Sequence, residues 1–300
     1  FRRGGWWQYA VDEAKAIREG VGLVDATAFT KHIVKGPGAT AFLDWFTTNK
    51  LPRVGRINLT YALTAHGTTR TEYTIVRLSE DEYYLVSAGA WTEYDADYLR
   101  KAIEDKEPEF GRIDCQNVTW LSAKKIELGM CPVNAIRVAY TGELGWELHH
   151  PIEMQNYLFD LLEKAGEPHG MKLVGARAQN WLRMEKSYRA FGTELGRDAT
   201  PLEADLPRFV DLSKDFHGKA EMEAKGIRAK CVTLLIDGPD DADPWGREAL
   251  YHGETRTGRL TSGGYSVAFG TSIGMGYVKP EHAVVGTKLQ VKMLDKLWNC

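Results

Sequence analysis

Cysteine and long apolar segments are scarce in this chain. Its 300 residues include four cysteines, Cys115, Cys131, Cys231 and Cys300. They form no C-x-x-C motif and no group with zinc-ligand spacing, so we expect free thiols in a reducing compartment, either the cytoplasm or, in a eukaryote, the mitochondrial matrix. The longest apolar runs, such as residues 231–236, have the length of a strand and fall short of the roughly 20 residues of a membrane helix.

Charge and short motifs exclude further classes of partner. The formal net charge is -3 and the sequence pI is about 6.3, so no bulk field attracts nucleic acid or an anionic membrane. Gly36-Pro37-Gly38 lacks the third glycine of a dinucleotide-binding loop, and its proline removes an amide that would face a phosphate. His149 and His150 are adjacent on a predicted strand and point to opposite faces, so we expect no metal site there.

The first 226 residues alternate between predicted helices and predicted strands. Apolar residues at helical spacing predict helices over residues 7–19, 39–48, 91–103, 151–166 and 176–188. β-Branched and aromatic residues predict strands over residues 21–25, 72–78, 82–87, 135–140 and 146–149. The polar link Ser79-Glu80-Asp81 joins the second and third of these strands into a hairpin.

From about Gly226 onward the pattern changes. Segments of strand length at 231–236, 258–260, 274–278 and 288–293 are separated by glycine, proline and aspartate, without a predicted helix, which is typical of a small barrel-like unit. The predicted fold class is α+β, with an α+β region over residues 1–226 and a β-barrel over 227–300. The chain lacks an initiator Met and an apolar signal segment, and it stops within a predicted strand. We therefore expect a piece of a longer polypeptide.

Two carboxylates are candidate functional groups. Glu143 lies in Tyr140-Thr141-Gly142-Glu143-Leu144-Gly145, a glycine-containing turn that can direct a carboxylate into a cleft, where it would accept paired N–H donors of a heterocycle. Glu72 begins a strand directly after Arg70 and Thr71. The alternatives are a solvated turn residue for Glu143 and a neutralised strand-edge charge for Glu72. The arginines of the helix 176–188 form either a solvated face or a site for an anionic ligand.

Several stretches resemble one family in their order and spacing. They are REGVGLVD at 18–25, GRINLTYALT at 55–64, YTGELGWEL at 140–148, LRMEKSYRAFG at 182–192, TPLEA at 200–204, FHGK at 216–219 and TSGG at 261–264. Together they resemble the folate-binding aminomethyltransferase family, which includes the glycine cleavage T protein. GELGWEL and LRMEKSYRAFG are most similar to the C-terminal folate-binding region of dimethylglycine and sarcosine dehydrogenases.

The resemblance implies a fold and a set of site residues. The fold is a cloverleaf of two interwoven α+β units and a C-terminal β-barrel around a central folate funnel. Glu72 matches the family's catalytic carboxylate, and Glu143 matches its pterin-binding glutamate. The resemblance further places Tyr140, Arg183, Glu203 and Tyr61 among the residues that bind the folate. Tyr61 stands near Leu59, which aligns with a folate-side tyrosine of the T protein.

The implied activity is transfer of a one-carbon unit to tetrahydrofolate. A methylene unit from an N-methyl amine, such as dimethylglycine or sarcosine, would be captured as 5,10-methylenetetrahydrofolate. The alternatives are a folate-dependent methyltransferase or demethylase with an S-, O- or N-methyl donor, and a non-catalytic folate-binding regulatory module. The sequence contains no flavin domain, so FAD is expected only on a separate domain or partner. A helix-bearing segment of the family, expected between Thr119 and Trp120, is missing.

Overall fold

The computed structural model describes residues 2–117 and 124–300. The position of the missing family segment, at Thr119 and Trp120, lies outside these described residues. Within the described residues, no helix is both long enough and apolar enough to cross a membrane.

The described residues form six α-helices, joined by short 3-10 turns. The helices are α1 (Trp6–Glu19), α2 (Ala39–Phe46), α3 (Thr92–Phe110), α4 (Gln155–Gly166), α5 (Ala176–Glu185) and α6 (Lys219–Lys225). The 3-10 turns are Gly89–Trp91, Ile152–Met154, Glu167–His169, Pro207–Phe209 and Pro280–His282.

Sixteen strands accompany these helices in the described part of the chain. The first ten are β1 (Gly22–Leu23), β2 (Thr30–Lys35), β3 (Ile57–Leu63), β4 (Thr69–Ser79), β5 (Glu82–Ser87), β6 (Asp114–Asn117), β7 (Lys124–Leu128), β8 (Cys131–Ile136), β9 (Glu147–His149) and β10 (Lys172–Leu173). The last six are β11 (Lys230–Ile236), β12 (Ala249–His252), β13 (Thr255–Ser266), β14 (Thr271–Val278), β15 (Gln290–Met293) and β16 (Lys296–Asn299).

An antiparallel sheet of order β3-β4-β5-β2-β6 organises the N-terminal region. Side chains alternate between its two faces. One face packs against α2 and α3 through a core that includes Val34, Phe42, Leu43, Tyr73, Ile75, Leu85 and Leu99. The opposite face carries Glu72, because this residue lies between Thr71 and Tyr73 on β4.

Two smaller sheets complete the α+β region. Strands β7, β8 and β9 form an antiparallel sheet, and Leu158 of α4 packs against its buried Cys131 and Val133. Strands β1 and β10 pair in parallel, and helices α1 and α5 pack together beside them through Ala14, Ala178 and Leu182. Helix α5 also packs against the C-terminal strands through Trp181 and Met184, so it joins the two parts of the molecule.

The C-terminal strands form one antiparallel sheet of order β11-β14-β13-β12-β15-β16. The backbone amide of Asp237, after β11, donates to the carbonyl of Asn299 on β16 at 2.9 Å. This bond brings the two edges of the sheet together and closes a barrel around Ile236, Leu250, Leu260, Val278 and Val291. The predicted α+β fold with a C-terminal barrel is therefore confirmed.

Several element ends differ from the sequence prediction. The strand predicted over 135–140 ends at Ile136, because the chain then forms the turns of the loop 137–146. The helix predicted over 176–188 ends at Glu185, and Ser187 adopts a left-handed conformation with φ 56°. Helix α3 continues to Phe110 and stops at Gly111, whose φ is 88°. Its last two turns are polar, so the apolar pattern did not reveal them.

Candidate functional site

Glu72 and Tyr61 face each other across two neighbouring strands. In the β3–β4 ladder Tyr61 pairs directly with Glu72, so both side chains lie on the face of the sheet away from α2 and α3. Tyr61 is fully buried and packs with Leu63, Leu195 and Phe216, whereas Glu72 is half-buried. The hairpin that leads into β4 turns at Gly67, where φ is 74° and an added Cβ would lie 2.2 Å from the Met222 backbone.

The environment of Glu72 favours its protonated form. Burial raises the pKa of Glu72 to about 7, and the nearby Tyr61 hydroxyl offsets only part of this effect. The hydroxyl reaches no partner with normal hydrogen-bond geometry, so its interaction with Glu72 is long and weak. Glu72 is therefore a carboxyl group that can exchange a proton near neutral pH.

Tyr140 connects Glu72 to the segment that follows α5. Its hydroxyl donates to the backbone carbonyl of Arg189 at 3.2 Å. Burial raises the pKa of the Tyr140 hydroxyl, while the positive charge of Arg183 acts against this and the negative charge of Glu72 adds to it. The structure therefore brings three predicted site residues together: Tyr61, Glu72 and Tyr140.

Glu143 lies in the loop 137–146, on a turn that requires glycine. Gly142 has φ 72°, and a Cβ there would lie 2.4 Å from Cγ of Lys186. The half-buried Glu143 carboxylate accepts from Arg18 Nε at 3.2 Å and lies 3.5 Å from Lys186 Nζ, both through Oε1. Its Oε2 has no partner in the part of the chain that the structure describes. Arg18 also donates to Glu185 at 2.5 Å, which orders this surface.

Arg183 makes most of its possible hydrogen bonds within the protein. Its guanidinium donates to Glu194 Oε2 at 2.7 Å and to Ser262 Oγ at 2.6 Å, and the side chain is 1% exposed. Further donor contacts reach Asn180 Oδ1 at 3.0 Å and the Tyr188 carbonyl at 2.9 Å. Arg183 thus ties α5 to β13 and to the loop after Tyr188, and it leaves little donor capacity for a ligand.

Glu203 has a similar internal role. Its buried carboxylate accepts from the Thr200 amide at 2.9 Å and from Arg228 Nε at 2.8 Å and Nη2 at 2.9 Å. The hydrogen bonds of Arg228 lower the pKa of Glu203, although burial works in the opposite direction. Glu203 therefore braces the turn 200–204 against the start of the barrel.

A cavity of about 490 Å³ opens where the N-terminal sheet, the segment 191–203 and the barrel meet. Its wall includes the aromatic side chains of Trp91 and Phe191 and four arginines, Arg70, Arg197, Arg228 and Arg259. Of the six predicted site residues, Glu203 alone is among its lining residues. The cavity therefore lies beside Tyr61, Glu72 and Tyr140, and none of these three residues lines it.

Sequence reasoning missed the partners of the two candidate carboxylates. Arg18 and Lys186 contact Glu143. Arg189 lies close enough to Tyr61 for its positive charge to act on the Tyr61 hydroxyl. Arg189 was visible in the charged run after residue 176, but that pattern is typical of a solvated face. Its side chain is instead 9% exposed. Within residues 2–117 and 124–300, no three His, Cys, Asp or Glu side chains converge as metal ligands.

Comparison with known proteins gives consistent similarities along the whole chain. Residues 1–119 and 109–214 match the family model of the GCVT N-terminal domain, and residues 230–300 match that of the glycine cleavage T-protein C-terminal barrel domain. Mitochondrial dimethylglycine dehydrogenase of Rattus norvegicus is 33% identical over 99% of this chain, and the Homo sapiens protein is 34% identical. The chain spans 38% of the length of these relatives.

Two further similarities cover most of the other protein as well. The aminomethyltransferase of Natranaerobius thermophilus is 29% identical over 98% of this chain and 90% of its own length. The crystal structure of glycine cleavage system aminomethyltransferase T from Bartonella henselae superposes with a TM-score of 0.84, covers 97% of this chain and 87% of that chain, and is 23% identical. This second similarity shows a shared fold.

Proposed function

Because the chain belongs to the aminomethyltransferase family of the glycine cleavage T protein, we propose that it captures a methylene unit from an N-methyl amine on tetrahydrofolate. Membership makes the chain a folate-dependent one-carbon transferase. The proposed donor is an iminium or formaldehyde equivalent derived from an amine such as dimethylglycine or sarcosine. The proposed product is 5,10-methylenetetrahydrofolate. The similarity to dimethylglycine dehydrogenases supports this choice of donor.

The residues present fit a reduced folate. Glu143 offers the free Oε2 and the shared Oε1 of one carboxylate to the N–H donors of a pterin ring. The buried Tyr61 hydroxyl has no normal hydrogen-bond partner and therefore has capacity for a ligand. Bound tetrahydrofolate supplies the nucleophilic nitrogens that accept the one-carbon unit.

The residues of the chain would then contribute binding, orientation and proton transfer. Glu143 fixes one edge of the pterin and so places the reacting nitrogens relative to the donor. This lowers the entropic part of the activation barrier. Glu72, with a pKa of about 7, holds or accepts a proton beside them. Tyr140 supports the same region through its hydrogen bond to Arg189. Arg183 and Glu203 are proposed to shape the site through their internal contacts.

Oxidation of the amine is proposed to take place on a flavin domain or a flavin-dependent partner. The dimethylglycine dehydrogenases are much longer than this chain, which matches 38% of their length. FAD is therefore proposed as a cofactor of that separate unit. The cytoplasm or the mitochondrial matrix is proposed as the compartment, and the mitochondrial relatives are consistent with the second of these.

Calorimetric titration with tetrahydrofolate tests the proposed site. We expect micromolar binding to the wild type and none to Glu143→Ala, because the pterin loses its carboxylate. Glu153→Ala is the control, since Glu153 is an exposed carboxylate beyond the same loop. A folded wild-type protein that binds no tetrahydrofolate, or a Glu143→Ala variant that binds it normally, would contradict the proposal.

Product analysis separates the proposed reaction from its alternatives. Formation of methylenetetrahydrofolate supports methylene capture, formation of methyltetrahydrofolate indicates a methyltransferase, and binding without turnover indicates a regulatory module. We expect Glu72→Gln to retain folate binding and to slow transfer by about 100-fold, a typical value for loss of an acid–base group. Full-rate transfer by this variant would rule out the role of Glu72.

A further inference from the structure

Two buried polar groups make no hydrogen bond of normal geometry with the described residues, although one of them interacts weakly with Glu72. They are Nε of Arg189 and the hydroxyl of Tyr61. The Tyr61 side chain is fully buried, and that of Arg189 is 9% exposed. Folded proteins leave few buried donors unsatisfied, because each such group has lost its hydrogen bonds to water without replacement. Two of them in one neighbourhood indicate a place where a ligand supplies the missing partner.

The packing brings these two groups to the same region. Phe191, two residues after Arg189, packs in the same apolar cluster as Tyr61. The carbonyl of Arg189 is held by the Tyr140 hydroxyl at 3.2 Å. The positive charge of Arg189 also acts on the Tyr61 hydroxyl, where it partly offsets the rise in pKa caused by burial and by Glu72.

The remaining donors of Arg189 hold the side chain in place. Nη1 donates to the Ser187 carbonyl, and Nη2 lies 3.6 Å from Asp205, whose side chain is 56% exposed. The Cys231 thiol also interacts with the Arg189 side chain. Nε is therefore held in position without a hydrogen bond of normal geometry among the described residues. By contrast, Nε of the buried Arg183 donates to Asn180 Oδ1.

We propose that Arg189 Nε and the Tyr61 hydroxyl form a subsite that donates hydrogen bonds to an acceptor atom of the bound reduced folate, beside Glu72. An arginine N–H can only donate, so the ligand atom must be an electron-rich oxygen or nitrogen. The inference rests on the proposed function and adds Arg189 to the residues that bind the ligand. It assigns to Arg189 and Tyr61 the orientation of the ligand, and to Glu72 the proton.

Titration calorimetry with tetrahydrofolate on two matched arginine variants tests this subsite. Arg189→Met is expected to weaken binding by about tenfold or more, the usual effect of losing a charge-assisted hydrogen bond. Arg208→Met is the control, because the charge of Arg208 also acts on Tyr61 while its side chain is exposed and lies 4.5 Å from the Phe209 ring. The control is expected to bind within about twofold of the wild type.

Tyr61→Phe provides a second measurement that does not depend on the folding of Arg189→Met. Without ligand, this variant is expected to melt at the same temperature as the wild type or higher, because it removes a buried hydroxyl that interacts only weakly with Glu72. Its tetrahydrofolate affinity is expected to fall by about three- to tenfold. A purely structural hydroxyl would give the opposite pattern, a lower melting temperature with unchanged affinity.

The outcomes separate the subsite from the proposed function. A wild-type protein that binds no tetrahydrofolate overturns the proposed function and the subsite with it. Wild-type binding that persists unchanged in Arg189→Met and in Tyr61→Phe overturns the subsite alone. Weaker binding in both variants, with the Arg208→Met control unaffected, supports it.

Discussion

Glu72 owes its chemical character to its position in the sheet. It lies on the sheet face opposite α2 and α3, directly across from the buried Tyr61. Burial disfavours the charged carboxylate there, so the folded protein keeps a proton on Glu72 at pH values at which an unfolded chain has released it. A carboxyl group with a pKa of about 7 can both donate and accept a proton near neutral pH.

The raised pKa of Glu72 makes the free energy of unfolding depend on pH. The folded-state pKa is above the ordinary value of 4.5, so the contribution of Glu72 is fully present below pH 4.5 and is lost as the pH rises through about 7. The loss corresponds to about 3 kcal/mol. Urea unfolding of the wild type and Glu72→Gln across this range checks it. We expect the variant to gain stability relative to the wild type as the pH rises, and parallel curves would contradict the assignment.

At the scale of elements, a buried ion pair attaches strand β4 to helix α3. Asp95, in the first turn of α3, accepts from Arg70 Nη1 at 3.2 Å and from Thr71 Oγ1 at 2.9 Å. Arg70 also donates to the Tyr94 carbonyl at 2.8 Å. These bonds fix the strand immediately before Glu72, so the helix and the candidate catalytic residue are mechanically connected.

Removing Asp95 is expected to destabilise this connection strongly. Asp95→Ala leaves the buried guanidinium of Arg70 without its counter-charge, which typically costs about 3–5 kcal/mol. Asp97→Ala is the matched control, because Asp97 is an exposed carboxylate on the same helix. Equal midpoints of urea unfolding for the two variants would show that the ion pair does not stabilise the fold.

Helices α1 to α5 and the hairpin of β4 and β5 were predictable from the apolar pattern of the sequence. Helix α1 ends at Glu19 before Gly20, as its glycine signal indicated, and the hairpin of β4 and β5 was found at its predicted place. Strands β2, β3 and β12 and helix α6 were not predicted. Strand β12 has four residues and helix α6 has seven, most of them polar. Such elements depend on tertiary pairing, for example of β12 with β13 and β15, more than on local pattern.

The candidate site was only partly predictable for a similar reason. Family resemblance identified Glu72, Tyr61 and Tyr140, which the fold brings together. It gave no information on which arginines have donors to spare. The donors of Arg183 bond to Glu194 and Ser262, whereas Nε of Arg189 makes no hydrogen bond of normal geometry with the described residues. That distinction depends on contacts between residues far apart in the chain.

At the scale of the whole molecule, the family prediction is confirmed by family models that match both the α+β region and the barrel. The domain boundary at 226/227 stays a prediction. A short N-terminal arm links the two parts: Arg3 donates to Asp243 at 2.8 and 2.9 Å, and its Cζ lies 4.5 Å from the Trp7 ring and 4.6 Å from the Tyr265 ring. The arm thus attaches α1 to the barrel.

Loss of this attachment is expected to lower the stability of the whole molecule. Arg3→Met removes a partly buried ion pair and two ring contacts, which together are worth about 1–3 kcal/mol. Each kcal/mol lowers the melting temperature of a large domain by about 2–4 °C. The control is Arg2→Met, since the neighbouring Arg2 is 70% exposed in its pair with Asp241. A calorimetric scan with identical transitions for both variants would contradict the role of the arm.

The ion pairs around Glu143 have a consequence for the thermodynamics of binding. Arg18 and Lys186 both contact Oε1 of this carboxylate, so a pterin donor that reaches Oε1 competes with cations that belong to the protein itself. Ligand binding at Glu143 therefore replaces contacts to cationic side chains with hydrogen bonds to a neutral donor. Added salt weakens such partly exposed pairs. The affinity for an uncharged tetrahydropterin should therefore rise with ionic strength, in contrast to the salt sensitivity of most charged binding sites.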